Sequence, residues 1–271
     1  MPVREVDGVR AWQRRERGRQ LLIWLGWLGG VALFAASWRL ISEHTMWNFV
    51  WDAPLQGADL ASRMFPPRWA YTARLWWPLW DTINIATLGT LAALVLAVPV
   101  AFLAARNTTP SAMAIRPAAL LLIVSSRSIN SLIWALLLVS IIGPGVLAGI
   151  IAIALRSIGF IAKLLYEAIE EIDRAPVEAI VATGAGRGQV VTYGIVPQVL
   201  PAVAGISVFR WDINIRESTV LGLVGAGGIG LELQASVNVL AWPQVTMIFL
   251  LVLATVVVSE WVSARVRHAV I

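Results

Sequence analysis

Residues 166–201 read YEAIEEIDRAPVEAIVATGAGRGQVVTYGIVPQVLP, the longest part of the chain built for water, with apolar runs of membrane-spanning length on both sides. Pro176 has no backbone N–H to donate, which suits the first position of a helix and not its interior. A short helix is therefore expected to begin there, with Glu178 in its first turn near the positive end of the helix dipole. Ala179, Ile180, Val181 and Ala182 continue it with a small apolar surface, and Gly184, Gly186 and Gly188 then stop it in a flexible turn carrying Arg187. A short exposed helix with an apolar tip fits a groove on a partner.

Outward from this stretch the chain is apolar. Hydrophobic residues make up 58% and charged residues 14%, and the mean hydropathy is +0.76, against about a quarter charged in ordinary soluble domains. The chain is therefore expected to be an all-α integral membrane protein without a separate soluble catalytic domain. There is no cysteine, and His44 and His268 lie near opposite ends, so disulfides, thiolate metal sites and a metal centre are not expected. The net charge of +5 is spread by membrane side and forms no nucleic-acid patch.

Six arginines in residues 1–20 precede an apolar run at 21–41, too long for a signal-peptide core and long enough to cross about 30 Å of hydrocarbon as a helix. Further runs at 83–105, 118–142, 146–165, 198–224 and 243–264 bring the expected number of spans to six. Thirteen basic residues then fall on one side (the first six, Arg106, Arg116, Lys163, Arg174, Arg187, Arg265 and Arg267), against Arg63, Arg68 and Arg74 on the other. Basic residues in short loops favour the cytoplasm, so both termini and the 166–197 loop are assigned inside. The organisation is a basic segment at 1–20, a first span with a tryptophan-rich outer loop at 21–82, and the remaining spans at 83–271. Within the outer loop, 68–81 is the stretch expected to lie along the membrane surface, because aromatic rings settle at that boundary.

Polar groups within apolar spans need partners, water or an interface, since an arginine at mid-membrane costs about 2.5–3.5 kcal/mol on insertion scales. The third span holds Ser126, Arg127 and Asn130, and the fourth holds Arg156. In the fifth, Asp212 and Arg216 share a face four residues apart, and Arg210 and Glu217 share one seven apart, so these four are expected to pair within their helix. Arg127 and Arg156 are left as candidates for unpaired charge facing an anion pathway; the alternative is that they bond carbonyls or acids of the fifth span and lock the bundle. Residues 222–230, GLVGAGGIG, contain a literal G-x-G-x-x-G, but they end a membrane span and lack the acid about twenty residues on that a dinucleotide site needs. Glycine at a span end permits a broken helix or close approach, making Gly225, Gly227 and Gly228 candidates for a gate.

Glu178-Ala179, Gly184 and then Gly194-Ile195-Val196-Pro197 resemble the EAA signature of ABC importer permeases, EAA-x3-G-x9-I-x-L-P, with Gly194 in place of Ile and Val196 in place of Leu. Together with 127–130 (RSIN), 193–201 (YGIVPQVLP) and 216–230 (RESTVLGLVGAGGIG), they resemble the permease of phosphonate ABC importers over residues 80–271.

The resemblance implies a type I importer fold, two permease copies or this chain with a similar one, and a bacterial inner-membrane location. It implies ATPase subunits docked on a coupling helix at Glu178, Ala179, Gly184 and Arg187, and an extracytoplasmic binding protein that delivers a phosphonate or related phosphorus oxyanion. ATP and magnesium belong to the partner ATPase, because this chain has no G-x-x-x-x-G-K-[ST] sequence. The alternatives are importing methionine or a quaternary amine, or a passive anion channel. An intramembrane enzyme is disfavoured because Ser125, Ser126 and Ser128 have no histidine at membrane depth.

Overall fold

A computed structural model describes residues 3–6, 9–12 and 17–270 and divides the chain into two units, residues 1–59 and 60–271. The first unit opens with an antiparallel hairpin, β1 (Val3–Val6) and β2 (Val9–Trp12), in which Val3 stands opposite Trp12. Helix α1 (Arg17–His44) follows, and none of its described side chains is buried. Between Leu21 and Ala36 it is apolar on every face, a pattern suited to a membrane span. Helix α2 (Trp47–Met64) differs: Asp52, Gln56, Asp59 and Arg63 recur at helical spacing on one face, opposite Val50, Pro54 and Ala58. That is the pattern of an interfacial helix. Residues 68–81 do not have the separate surface-lying form expected of them. Trp69–Tyr71 is one tight turn and Thr72 already begins α3 (Thr72–Ala104). Its 33 residues extend about 50 Å, longer than the hydrocarbon core, so Trp76, Trp77 and Trp80 belong to a continuous helix.

The second unit is a bundle around α6 (Val146–Glu170). Ala86, Gly89, Ala93, Ala97, Ala101 and Ala104 form a stripe of small residues along α3, all buried. A β-carbon on Gly89 would lie 2.7 Å from Cγ2 of Ile153 in α6. Small side chains let the two backbones approach closely, which is how helices gain contact energy in a solvent as apolar as they are.

The third span is two helices, α4 (Ile115–Ser128) and α5 (Ser131–Ile142), bent by 85° at Ile129–Asn130. The expected unbroken run at 118–142 gives way because Asn130 is a helix N-cap: its Oδ1 accepts from the Leu132 amide at 3.1 Å while Ile129 is extended. The pair still traverses the bundle. Arg116 at the start of α4 reaches Glu170 at the end of α6 (3.6 Å), whereas α5 ends beside Gly145, the cap of α6.

Beyond α6 come α7 (Arg174–Ala182), α8 (Arg187–Gln189), a wider-wound π segment at Val190–Ile195, and α9 (Val196–Leu221). A glycine-rich turn leads to α10 (Ile229–Asn238) and α11 (Trp242–Val270). Among the described residues, five helices are long and apolar enough to cross a membrane, and α4 with α5, taken as one span, brings the number to six.

Candidate functional site

At the basic end, α7 begins two residues before Pro176. Asp173 caps it, its Oδ1 accepting from the Ala175 amide at 3.0 Å. Pro176 is thus the third helical residue, where an N–H would still have no intrahelical acceptor, and Glu178 lies beyond the first turn. Glu178, Ala179, Gly184 and Arg187 are all exposed, and Gly184 takes the left-handed conformation (φ +79°) that ends the helix. Gly186 and Gly188 do not extend a flexible turn: Gly186 caps α8 and Gly188 lies within it.

Two features the sequence did not announce hold α7 in place. A β-carbon on Gly194 would come within 3.3 Å of Ile180 Cδ1 and 3.5 Å of Val177, so the glycine that departs from the signature admits α7 against the π segment. The Gln198 side chain accepts from the Asp173 amide (3.1 Å) and donates to the carbonyls of Asp173 (3.2 Å) and Gly194 (2.7 Å). The start of α7 is thereby pinned to the first turn of α9. At the other side, Glu170 accepts from the Arg106 amide at 2.9 Å and faces Arg116, joining the α3–α4 connection to α6.

The central cluster lies between α6 and α9. Arg156 Nη1 donates to Glu217 Oε1 at 2.7 Å and to Ser131 Oγ at 3.3 Å. Arg210 Nη2 approaches both Glu217 oxygens at 3.4 and 3.5 Å, and its Nε donates to Ser157 Oγ at 2.9 Å. Asn214 donates to Thr90 Oγ1 (2.8 Å) and Ser157 Oγ (3.1 Å), tying α3 into the same network. Such bonds satisfy groups that hydrocarbon would leave unpaired.

Of the two readings open for Arg156, an unpaired charge or a bond to an acid of the fifth span, the geometry matches the second. Arg156 shares the carboxylate of Glu217 with Arg210, two guanidiniums to one acid, so the cluster keeps one positive charge. Arg216 pairs with Asp212 at 2.6 Å, and the other Asp212 oxygen accepts from Ser259 of α11 at 2.7 Å. Arg127 is exposed and makes no salt bridge among the described residues; its guanidinium lies 5.8 Å from the centre of the Phe160 ring, which Arg210 also approaches at 4.9 Å. One aromatic ring thus has two cations within reach of its centre.

Ser126 is committed to the bundle. Its hydroxyl donates to the Leu155 carbonyl and accepts from the Gly159 amide at 2.9 Å, joining α4 to α6. Asn130 is exposed beside Arg127 and serves as the cap described above.

At the far end, Gly225, Gly227 and Gly228 have φ of +87°, +83° and +74°, angles that only glycine adopts readily. The Gly225 carbonyl accepts from the Gly145 amide at 3.0 Å, and Thr82 Oγ1 accepts from the Ile229 amide at 2.8 Å. The span therefore breaks in a turn packed against α3 and the α5–α6 connection.

Phe160 and Gln198 carried no sequence signal that set them apart from neighbouring residues, whereas Ser157 stood out as a polar residue beside Arg156 in an apolar span. Asn214 did too, as an amide amid charged residues.

Residues 97–270 match the family described as "Binding-protein-dependent transport system inner membrane component". The chain is 40% identical over 210 residues to the phosphite transport system permease protein PtxC of Stutzerimonas stutzeri, covering 78% of this chain and 76% of that protein. It is also 40% identical over 225 residues to the phosphate-import permease protein PhnE of Mycolicibacterium smegmatis, covering 82% of this chain and 42% of that longer protein. Among solved structures, a chain of the MetNI methionine ABC transporter in an inward-facing conformation superposes with a TM-score of 0.65 at 21% identity, covering 75% of this chain and 99% of that one. At that identity the likeness is one of fold.

Proposed function

Since this chain belongs to the family of binding-protein-dependent transport system inner membrane components, we propose that it is the permease subunit through which an ATP-driven importer moves a phosphorus oxyanion, whether phosphonate, phosphite or phosphate, into the bacterial cytoplasm. The observation that carries the reading is the arginine cluster. Arg156 and Arg210 on Glu217, with Arg127 beside Phe160, place net positive charge in an apolar bundle. Guanidinium donors match the oxygens of a tetrahedral anion, and relatives named for phosphite and phosphate transport support that cargo.

Arg127, Asn130 and Arg156 are assigned to the pathway, while Ser126 braces its wall. Two copies of the chain enclose the path, and a binding protein outside the membrane delivers the anion. ATP and magnesium act on separate ATPase subunits that receive the exposed face of α7, around Glu178, Ala179, Gly184 and Arg187.

Alternating access follows from how α7 is held. It sits between α6, which carries Arg156, and α9, which carries Glu217, and Gln198 fixes it to α9. Closure of the ATPase pair moves α7, and the two helices that meet at the cluster move with it. The packed turn at Gly225, Gly227 and Gly228 frames the outer gate.

The test is ATP hydrolysis and solute uptake by the permease reconstituted with its ATPase and binding protein, with phosphite, phosphonates, phosphate, methionine or betaine. Stimulation by phosphorus oxyanions, lost in Gly184→Trp, is the expected result. Stimulation by methionine or betaine alone overturns the cargo, and flux without ATP overturns the importer.

A further inference from the structure

The two arginines that hold Glu217 are not equally committed to it. Arg210 is 2% exposed, with Nε on Ser157, Nη2 on Glu217 and its face on Phe160. Arg156 is 30% exposed and uses Nη1 alone, toward Glu217 and Ser131. Its Nε and Nη2 make no hydrogen bond among the described residues. One guanidinium is a fixed part of the wall, and the other has donors left for a second acceptor.

A pathway needs sites that bind strongly enough to admit an ion and weakly enough to release it. Two bare guanidiniums in a medium of low dielectric would hold an oxyanion too long, because charge attraction grows as the dielectric falls. Glu217, 16% exposed, stands where it moderates both.

Resting on the cargo assigned above, we propose that Glu217 is a built-in competitor for the cargo. Its carboxylate holds Arg156 while the pathway is empty, yields that arginine to a phosphorus oxyanion as the anion arrives, and takes it back as the anion leaves. No covalent bond changes; one acceptor replaces another on the same donors.

The test uses the complex of permease and ATPase in lipid nanodiscs, without binding protein, and measures retention of radiolabelled inorganic phosphate and phosphite. Glu217→Gln keeps the shape of the side chain and removes its charge. The variant is expected to retain phosphate at concentrations lower than wild type by about fivefold or more, in the range typical of coupled sites. In proteoliposomes supplied with binding protein, uptake per ATP should fall. Unchanged or weaker retention in a variant that still assembles with its ATPase overturns the proposal.

Infrared difference spectroscopy on the wild-type complex gives a second measurement that no folding defect can confound. Phosphate should shift a carboxylate band, and that band should move in Glu217→Asp. Absence of any phosphate-induced carboxylate change overturns the exchange. The two readings fail separately: a wild-type complex that moves phosphite while Glu217→Gln retains it as wild type does refutes only the competitor, whereas a wild-type complex that moves no phosphorus anion refutes the cargo and this inference with it.

Discussion

Arg156 and Glu217 meet at 2.7 Å although 61 residues separate them, and the helices that carry them, α6 and α9, are linked through α7 at the basic end. A displacement of α7 therefore acts on both partners of one ion pair. The link is rigid at Gln198, whose amide makes three hydrogen bonds to Asp173 and Gly194.

Gln198→Ala removes all three bonds, each worth about 0.5–1.5 kcal/mol. The bundle does not depend on them, so the variant should reach the membrane in normal amount. Uptake per ATP hydrolysed in proteoliposomes should fall severalfold. An unchanged ratio would show that α7 transmits motion by another route.

Asp173→Ala probes the same link from the other end. Loss of an N-cap costs about 1 kcal/mol, which suffices to fray the first turn of α7, where Val177 seats on Gly194. Hydrogen exchange at residues 174–178 should quicken, with weaker capture of the ATPase, while exchange in α6 and α9 stays as in wild type.

Arg127 and Arg210 should respond differently to removal. Arg210 is buried and bonded to Ser157 and Glu217, so Arg210→Ala leaves the half-buried Glu217 carboxylate with Arg156 as its remaining guanidinium partner, a change smaller than the roughly 3–5 kcal/mol of a fully buried, unpaired charge. Its thermal denaturation midpoint in detergent should drop markedly. Arg127 is exposed, and its guanidinium lies beside the Phe160 ring. Arg127→Ala should denature within a few degrees of wild type yet import less phosphite.

Gly159→Val tests the seam between α4 and α6. A β-carbon there would stand 2.5 Å from the Ile123 carbonyl and 2.8 Å from Ser126 Oγ. Overpacking of this kind costs about 1–3 kcal/mol, and the larger side chain must also part Ser126 from the Gly159 amide. A lower denaturation midpoint with reduced uptake is expected; wild-type behaviour in both would mean that the two helices are free to separate there.

Much of the fold was legible because the bilayer narrows the choices. An apolar run of about twenty residues has one way to satisfy every backbone group in hydrocarbon, the helix, and the runs at 21–41, 146–165, 198–224 and 243–264 each lie within one of the long apolar helices. The third run failed as a single helix because Asn130 is polar enough to cap a new one, a local signal hidden by the hydropathy around it. The start of α7 was missed by two residues for the same kind of reason: Asp173 caps the helix, and Pro176 is tolerated anywhere in the first turn.

By itself the sequence determined the helical spans, the family through the 178–197 signature, and the pair Asp212–Arg216, because each rests on spacing within one segment. Only the tertiary structure decided that Glu217 serves Arg156 as well as Arg210, that two guanidiniums approach the Phe160 ring, that Ser126 faces α6, and that Gln198 holds α7. Those contacts join different helices. In lipid, hydrophobicity fixes that a helix spans and leaves its rotation and depth against its neighbours open, and these are set by the close packing of small residues such as Gly89 and Gly159.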